Sequence, residues 1–185
     1  MHFVEGYRGR RVGSGLHGQQ TGQMMAGIES IILSEKPDAV LVYGDTNSTL
    51  AGALASAKLN VPVIHSEAGL RSYNRRMPEE LNRLLTDHVS ALLLCPTSRA
   101  VTNLAAEGIV NNVHAVGDIM YDAALFTRSK AGRHDIRATL GMEGKRYALC
   151  TIHRAENTDD PTRFAKMIEY VDRFAKDMTI LFPIH

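Results

Sequence analysis

Residues 39–49 read Ala-Val-Leu-Val-Tyr-Gly-Asp-Thr-Asn-Ser-Thr, and the fold follows from this stretch. An unbroken apolar run meets a glycine, then an acid, then small polar residues. Continuous rather than alternating apolarity marks a strand buried on both faces. Gly44 permits a tight turn, and the Thr/Asn/Ser cluster suits the cap of a following helix. Apolar runs recur at 61–65 (Val-Pro-Val-Ile-His), 91–95 (Ala-Leu-Leu-Leu-Cys), 113–116, 147–152 and 178–182. Helical spacing fills the gaps. Met24, Met25, Ile28, Ile31 and Ile32 share one face, as do Phe164, Met167, Ile168, Val171, Phe174 and Ala175. Thr97 or Ser98 opens a further helix that Gly108 stops. Strands alternating with helices over short connections predict an α/β fold of parallel, doubly wound, Rossmann-like sheets.

Composition narrows the classes. The 185 residues are 44% hydrophobic and 22% charged, which excludes disordered, collagenous and low-complexity chains. With 21 basic against 20 acidic side chains the net charge is +1, so no electrostatic footprint for nucleic acid exists. The apolar runs are strand-sized, too short for a membrane helix, and the N-terminus lacks the apolar core of a signal peptide. Cys95 and Cys150 lie far apart without C-x-x-C or Cys/His metal spacing. They read as buried free thiols, which fits a reducing cytoplasm. A break is expected near Gly117-Asp118. It divides an N-terminal domain, 1–116, from a helix at 119–130, a polar stretch at 131–146 and two further strands within 117–185. That second unit is too small to bury a sufficient core alone.

The chemistry is expected at the carboxyl ends of the strands, where open α/β sheets bind ligands. Gly13-Ser-Gly15-Leu-His-Gly18 matches G-x-G-x-x-G but lacks the preceding strand a dinucleotide site needs, so it reads as a loop entering a helix over 19–34. Asp45 follows the 39–43 strand and Glu67 the 61–65 strand. If those strands are neighbours about 4.8 Å apart, the two carboxylates share one crevice and suit acid–base work. The bland alternative for Asp45 is the helix N-cap. Pro78 fits a first helical position, so one of Glu79 and Glu80 serves the helix dipole. Glu79, Asn82 and Arg83 share a face at i, i+3, i+4, placing an acid beside a guanidinium. After the 147–152 strand come His153, Arg154, Glu156 and Asn157, a set suited to a phosphate or an anionic leaving group. The remaining histidines, at 2, 17, 65, 88, 114, 134 and 185, share no spacing that implies a metal.

The motifs form an ordered set. Tyr43-Gly-Asp45-Thr-Asn-Ser-Thr, His65-Ser-Glu67-Ala-Gly-Leu-Arg71, Arg76-Met-Pro-Glu79-Glu-Leu-Asn-Arg83, Thr86-Asp87-His88, Val116-Gly-Asp-Ile-Met-Tyr-Asp122 and Thr151-Ile-His153-Arg-Ala-Glu-Asn157 follow one another. From about Gly13 to His185 the chain resembles the non-hydrolysing UDP-N-acetylglucosamine 2-epimerases. The resemblance implies a glycosyltransferase-B-type pair of Rossmann-like domains, with the second one truncated here. It implies interconversion of UDP-N-acetylglucosamine and UDP-N-acetylmannosamine by anti elimination and re-addition of UDP, without cofactor or metal. It assigns Asp45, Glu67 and Glu79 to acid–base work and His153 to the diphosphate. Arg71, Arg83, Arg154 and Glu156 fall to substrate binding. It further implies a cytoplasmic homodimer acting on a UDP-sugar for surface-polysaccharide synthesis. The family chain begins earlier and runs further, so this sequence resembles an internal portion that keeps the reaction-side residues. The alternatives are an epimerase for a uronic-acid sugar nucleotide, a hydrolysing 2-epimerase, a glycosyltransferase of the same fold and a catalytically inactive fragment.

Overall fold

The computed structural model describes residues 15–131, 135–152 and 155–183. The chain divides into two compact units, Met1–Leu125 and Phe126–His185. In the first, helix α1 (His17–Glu35) precedes β1 (Val40–Tyr43), α2 (Asn47–Lys58), β2 (Val63–Ser66) and α3 (Pro78–Val89). Then come β3 (Leu92–Cys95), α4 (Ser98–Ala106) and β4 (Val113–Ala115). Helix α5 (Ile119–Ala131) spans the division between the units.

The four strands form one parallel sheet in the order β1-β2-β3-β4. Tyr43 pairs with Ser66, and Ser66 with Leu94. The ladder then runs past the strand ends. The Gly44 amide donates to the Ser66 carbonyl at 3.1 Å, and the Ala68 amide to the Leu94 carbonyl at 3.1 Å. The first residues of two loops are thereby held as if they were still strand. This is what makes the carboxyl edge of the sheet a defined surface.

Small residues let the helices approach. The inner face of α2 buries Ala51, Gly52, Ala53, Ala55 and Ser56, and a Cβ on Gly52 would lie 3.2 Å from Val42. Val42, Ala53 and Val63 form one core cluster, and Ala68, Leu93, Cys95, Ala100 and Leu104 form another. Thr97 caps α4 by accepting from the Ala100 amide, and Gly108 ends the following turn at φ +81°. Both features agree with the sequence reading.

The expectation of two buried faces fails for β1. Val42 is buried, yet Leu41 is 42% exposed and Tyr43 52%. Strand β1 is the edge of the sheet, and no described element covers that face. In the second unit β5 (Tyr147–Leu149) and β6 (Thr179–Leu181) pair in parallel, and α8 (Pro161–Ala175) lies between them in sequence. Asp160 caps α8 by accepting from the Thr162 and Arg163 amides. The short helices α6 (Ile136–Thr139) and α7 (Ala155–Thr158) complete the unit. Helix α6 falls within the stretch read as featureless polar chain. No described residue of this unit is buried, so Leu149 stands exposed and Cys150 is only half-buried, against the reading of a buried thiol.

Two glycine substitutions test the packing. Gly69 has φ +79°, and a Cβ there would collide with the Ala100 carbonyl. Gly69→Ala should cost at least about 1–3 kcal/mol, read as a lower denaturation midpoint. Gly22 lies within α1 with open space around it, so Gly22→Ala should stabilise by roughly 0.5–1 kcal/mol in the same measurement.

Candidate active site

Strand β1 delivers its chain into a left-handed turn at Gly44 (φ +65°) and then to Asp45. The cap of α2 is Thr46, whose hydroxyl accepts from the Thr49 amide, while Thr49 donates back to the Tyr43 carbonyl at 2.5 Å. Asp45 is therefore not the helix cap, and its carboxylate is left for another partner. That partner is Arg83 of α3, which places Nε at 2.9 Å and Nη2 at 2.6 Å from the same oxygen, Oδ2. Two donors meet on one oxygen and leave Oδ1 outside the ion pair.

Strand β2 delivers Glu67 at φ +69°, a region that costs a residue with a Cβ about 1–2 kcal/mol. The fold keeps glutamate where glycine would be relaxed. A Cβ added to Gly44 would lie 3.7 Å from Glu67 Oε2, so the Glu67 carboxylate sits over the Gly44 turn beside Asp45. Parallel pairing sets the two loops that carry these acids side by side. Carboxylates so carried, one of them held by a guanidinium, suit proton transfer.

Other expected residues fall differently. Arg83 pairs with Asp45 and, through Nη1 at 2.8 Å, with Glu80 rather than with Glu79. Its guanidinium thus holds Asp45 and Glu80 together. Glu79 is exposed in the first turn of α3, whereas Glu80 is 1% exposed. Glu80 accepts from the Ser72 amide and hydroxyl, both at 2.9 Å, and from the Tyr73 amide at 2.8 Å. It is a template for the loop after Glu67. Arg71 is likewise engaged within the protein. Its side chain is 1% exposed, donating to the Leu70 carbonyl and to Asp87 through Nη1, and to Glu107 through Nε and Nη2. His153 and Arg154 lie outside the described residues, and of Glu156 only its place in α7 is described.

Sequence reasoning missed the groups beneath the site. His65, buried at 0% exposure, has Nδ1 2.6 Å from Asp87 Oδ1 and Nε2 2.8 Å from the Gly44 carbonyl. Asp87 Oδ2 accepts from the Gly69 amide at 3.1 Å and from Arg71 at 2.7 Å. Asn82 donates to the Asp45 carbonyl at 2.8 Å and to the Asn47 side chain, which in turn donates to Gln20 of α1. A signal was present. His65 stands two residues from Val63, on a face that strand periodicity buries, and a buried imidazole needs partners.

The electrostatics follow from these contacts. Burial would lower the Arg71 basicity, but Glu107 and Asp87 outweigh it and raise it above the ordinary value. Burial, aided by the Asp87 charge and opposed by Arg71, pushes the Cys95 thiol up to about 11, so it stays protonated and inert. For Glu80, burial pushes upward, yet donation from Ser72, Tyr73 and Arg83 holds the carboxyl below its usual range. Among the described residues no group of three or more His, Cys, Asp and Glu side chains is arranged to hold a metal ion.

Glu80 gives a prediction with a sign. Because folding depresses its pKa, the stability it contributes is full above its unfolded value, about 4.3, and is lost as pH falls through the lower folded value. Glu80→Gln should cost about 1–3 kcal/mol at neutral pH. Denaturation measured against pH should show the gap between wild type and Glu80→Gln narrowing below that window.

Comparison with known proteins agrees with this geometry. A family profile described as UDP-N-acetylglucosamine 2-epimerase matches residues 10–185. A UDP-N-acetylglucosamine 2-epimerase homolog of Methanococcus maripaludis is 50% identical over 177 residues, 94% of this chain and 49% of the relative. The UDP-2,3-diacetamido-2,3-dideoxy-D-glucuronate 2-epimerase of Pseudomonas aeruginosa is 50% identical over 176 residues, 92% of this chain and 48% of its own. The crystal structure of Methanocaldococcus jannaschii UDP-GlcNAc 2-epimerase with UDP-GlcNAc and UDP superposes with TM-score 0.87 at 47% identity, covering 94% of this chain and 49% of that one. The chain thus spans about half the length of the curated relatives it matches. On the extent of these matches, the chain belongs to the UDP-N-acetylglucosamine 2-epimerase family.

Proposed function

We propose that this chain carries the proton-transfer residues of a UDP-N-acetylglucosamine 2-epimerase, an isomerase of nucleotide sugars. The supporting observation is the placement of Asp45 and Glu67 at the carboxyl ends of adjacent parallel strands. Inversion at C2 needs one proton to leave from one face and another to arrive on the opposite face. A carboxylate takes the C2 proton, and the C–H electron pair forms the C1–C2 double bond as the C1–O bond breaks and UDP leaves with its pair. The resulting 2-acetamidoglucal takes UDP back at C1 while a proton arrives on the other face of C2. The electron count closes within the substrate and the carboxylates.

Asp45, Glu67 and Glu79 are the proposed proton carriers, and His153, Arg154 and Glu156 the proposed diphosphate side. Arg83 holds the Asp45 carboxylate in place for that role. The proposed partners are the UDP-sugar and a second copy of the protein, and the proposed compartment is the cytoplasm. No described helix is long and apolar enough to cross a membrane. A second reading rests on the Pseudomonas aeruginosa relative, as similar as the first. A 2,3-diacetamido glucuronate substrate would undergo the same C2 chemistry and differ at C3, the carbon bonded to C2, and at C6. Product analysis with both sugar nucleotides separates the two.

Deuterium uptake at sugar C2 in heavy water, by a chain of full family length carrying this segment, tests the proposal. Asp45→Asn or Glu67→Gln should lower the exchange rate roughly 10²–10⁴-fold with little change in substrate affinity. Exchange at the normal rate in both variants would remove the assigned roles.

A further inference from the structure

The tetrad of buried His65, Asp87 and Arg71 with partly exposed Glu107 takes no direct part in the proposed chemistry, yet it reaches both reaction loops. His65 Nε2 meets the carbonyl of Gly44, the residue before Asp45. Asp87 Oδ2 meets the amide of Gly69, two residues after Glu67. A backbone carbonyl only accepts, so Nε2 carries a proton. Asp87 takes the Gly69 amide and the Arg71 guanidinium on its other oxygen, which marks it as an ionised carboxylate, so Nδ1 carries a proton as well.

Charge balance points the same way. Asp87, Arg71 and Glu107 carry two negative charges against one positive, with the His65, Arg71 and Asp87 side chains 0–1% exposed and Glu107 at 23% on the outer side. A cationic His65 makes the set two positive and two negative, and buried charges persist when paired. The other titratable groups around it are Cys95, Asp45 and His88. Cys95 stays a neutral thiol, Asp45 is paired with Arg83, and His88 is half-exposed, 3.9 Å from Glu107.

We infer that His65 is a fixed, doubly protonated imidazolium and a positioning residue, which with Asp87 sets the Gly44–Asp45 turn and the Glu67–Gly69 turn as one unit. This rests on the reading of Asp45 and Glu67 as proton carriers only for its consequence. The placement of the turns is measurable without turnover.

The experiment is nitrogen-15 NMR of the 185-residue chain at neutral pH, reading the His65 ring nitrogens and the amides of residues 44–47 and 67–69. Both ring nitrogens should show the protonated, pyrrole-like shift. A ring with one unprotonated nitrogen overturns the inference, and this holds without any variant. In Asp87→Asn the ring should lose one proton, and the Gly44, Asp45 and Gly69 amide resonances should move together. Thr86→Val changes the neighbouring buried side chain and leaves the tetrad intact, so those resonances should stay in place. Amides that move equally in both variants, or in neither, would reduce His65 to a packing residue and overturn the proposal. Failure of the C2 exchange assay with a doubly protonated ring would count against the proposed activity alone.

Discussion

The Asp87 carboxylate is the contact on which the first unit depends. One side chain of α3 binds the imidazole of β2, the amide of Gly69 and the guanidinium of Arg71. Each of those groups belongs to a segment leaving the sheet edge. Removing one partner from a buried charged set typically costs about 3–5 kcal/mol, because the survivor is left unpaired in low dielectric. The loops at the carboxyl ends of β1 and β2 are thus fixed by ionic contacts more than by apolar ones. Such contacts fix geometry because they are intolerant of displacement.

A second layer is built on the same helix. Arg83 spans Asp45 and Glu80, and Glu80 gathers the backbone of residues 72–73. Helix α3 therefore faces the sheet edge with a sequence of charges, each satisfied by a loop. Its first turn begins at Pro78, and Glu79 remains exposed there. Arg83 holds the Asp45 carboxylate in place, so the proposed site is preorganised on that side.

Much of this was legible in the sequence, for physical reasons. Continuous apolar runs set the strands, and their ends set Asp45 and Glu67, because a parallel sheet places consecutive carboxyl ends side by side. Burial on both faces was not legible for β1, since Leu41 and Tyr43 stand at an edge that local sequence does not reveal. Ion pairing was not legible either. Spacing on α3 allows Arg83 to reach Glu79 or Glu80, and only the loop between β2 and α3, folded back on Glu80, decides. The pairing of Arg71 was hidden for the same reason, since its partner Glu107 lies 36 residues away. His65 sat inside a recognised motif, and its value lay in a partner 22 residues on.

The central claim is that the crevice over Gly44, between Asp45 and Glu67, is where the sugar of the nucleotide sits. Amide chemical-shift mapping of this chain titrated with UDP-N-acetylglucosamine tests it most directly. The account predicts saturable shifts concentrated on residues 44–47 and 66–68, with the outer turn of α1 and strand β4 unmoved. Saturable shifts confined to other parts of the chain would contradict it.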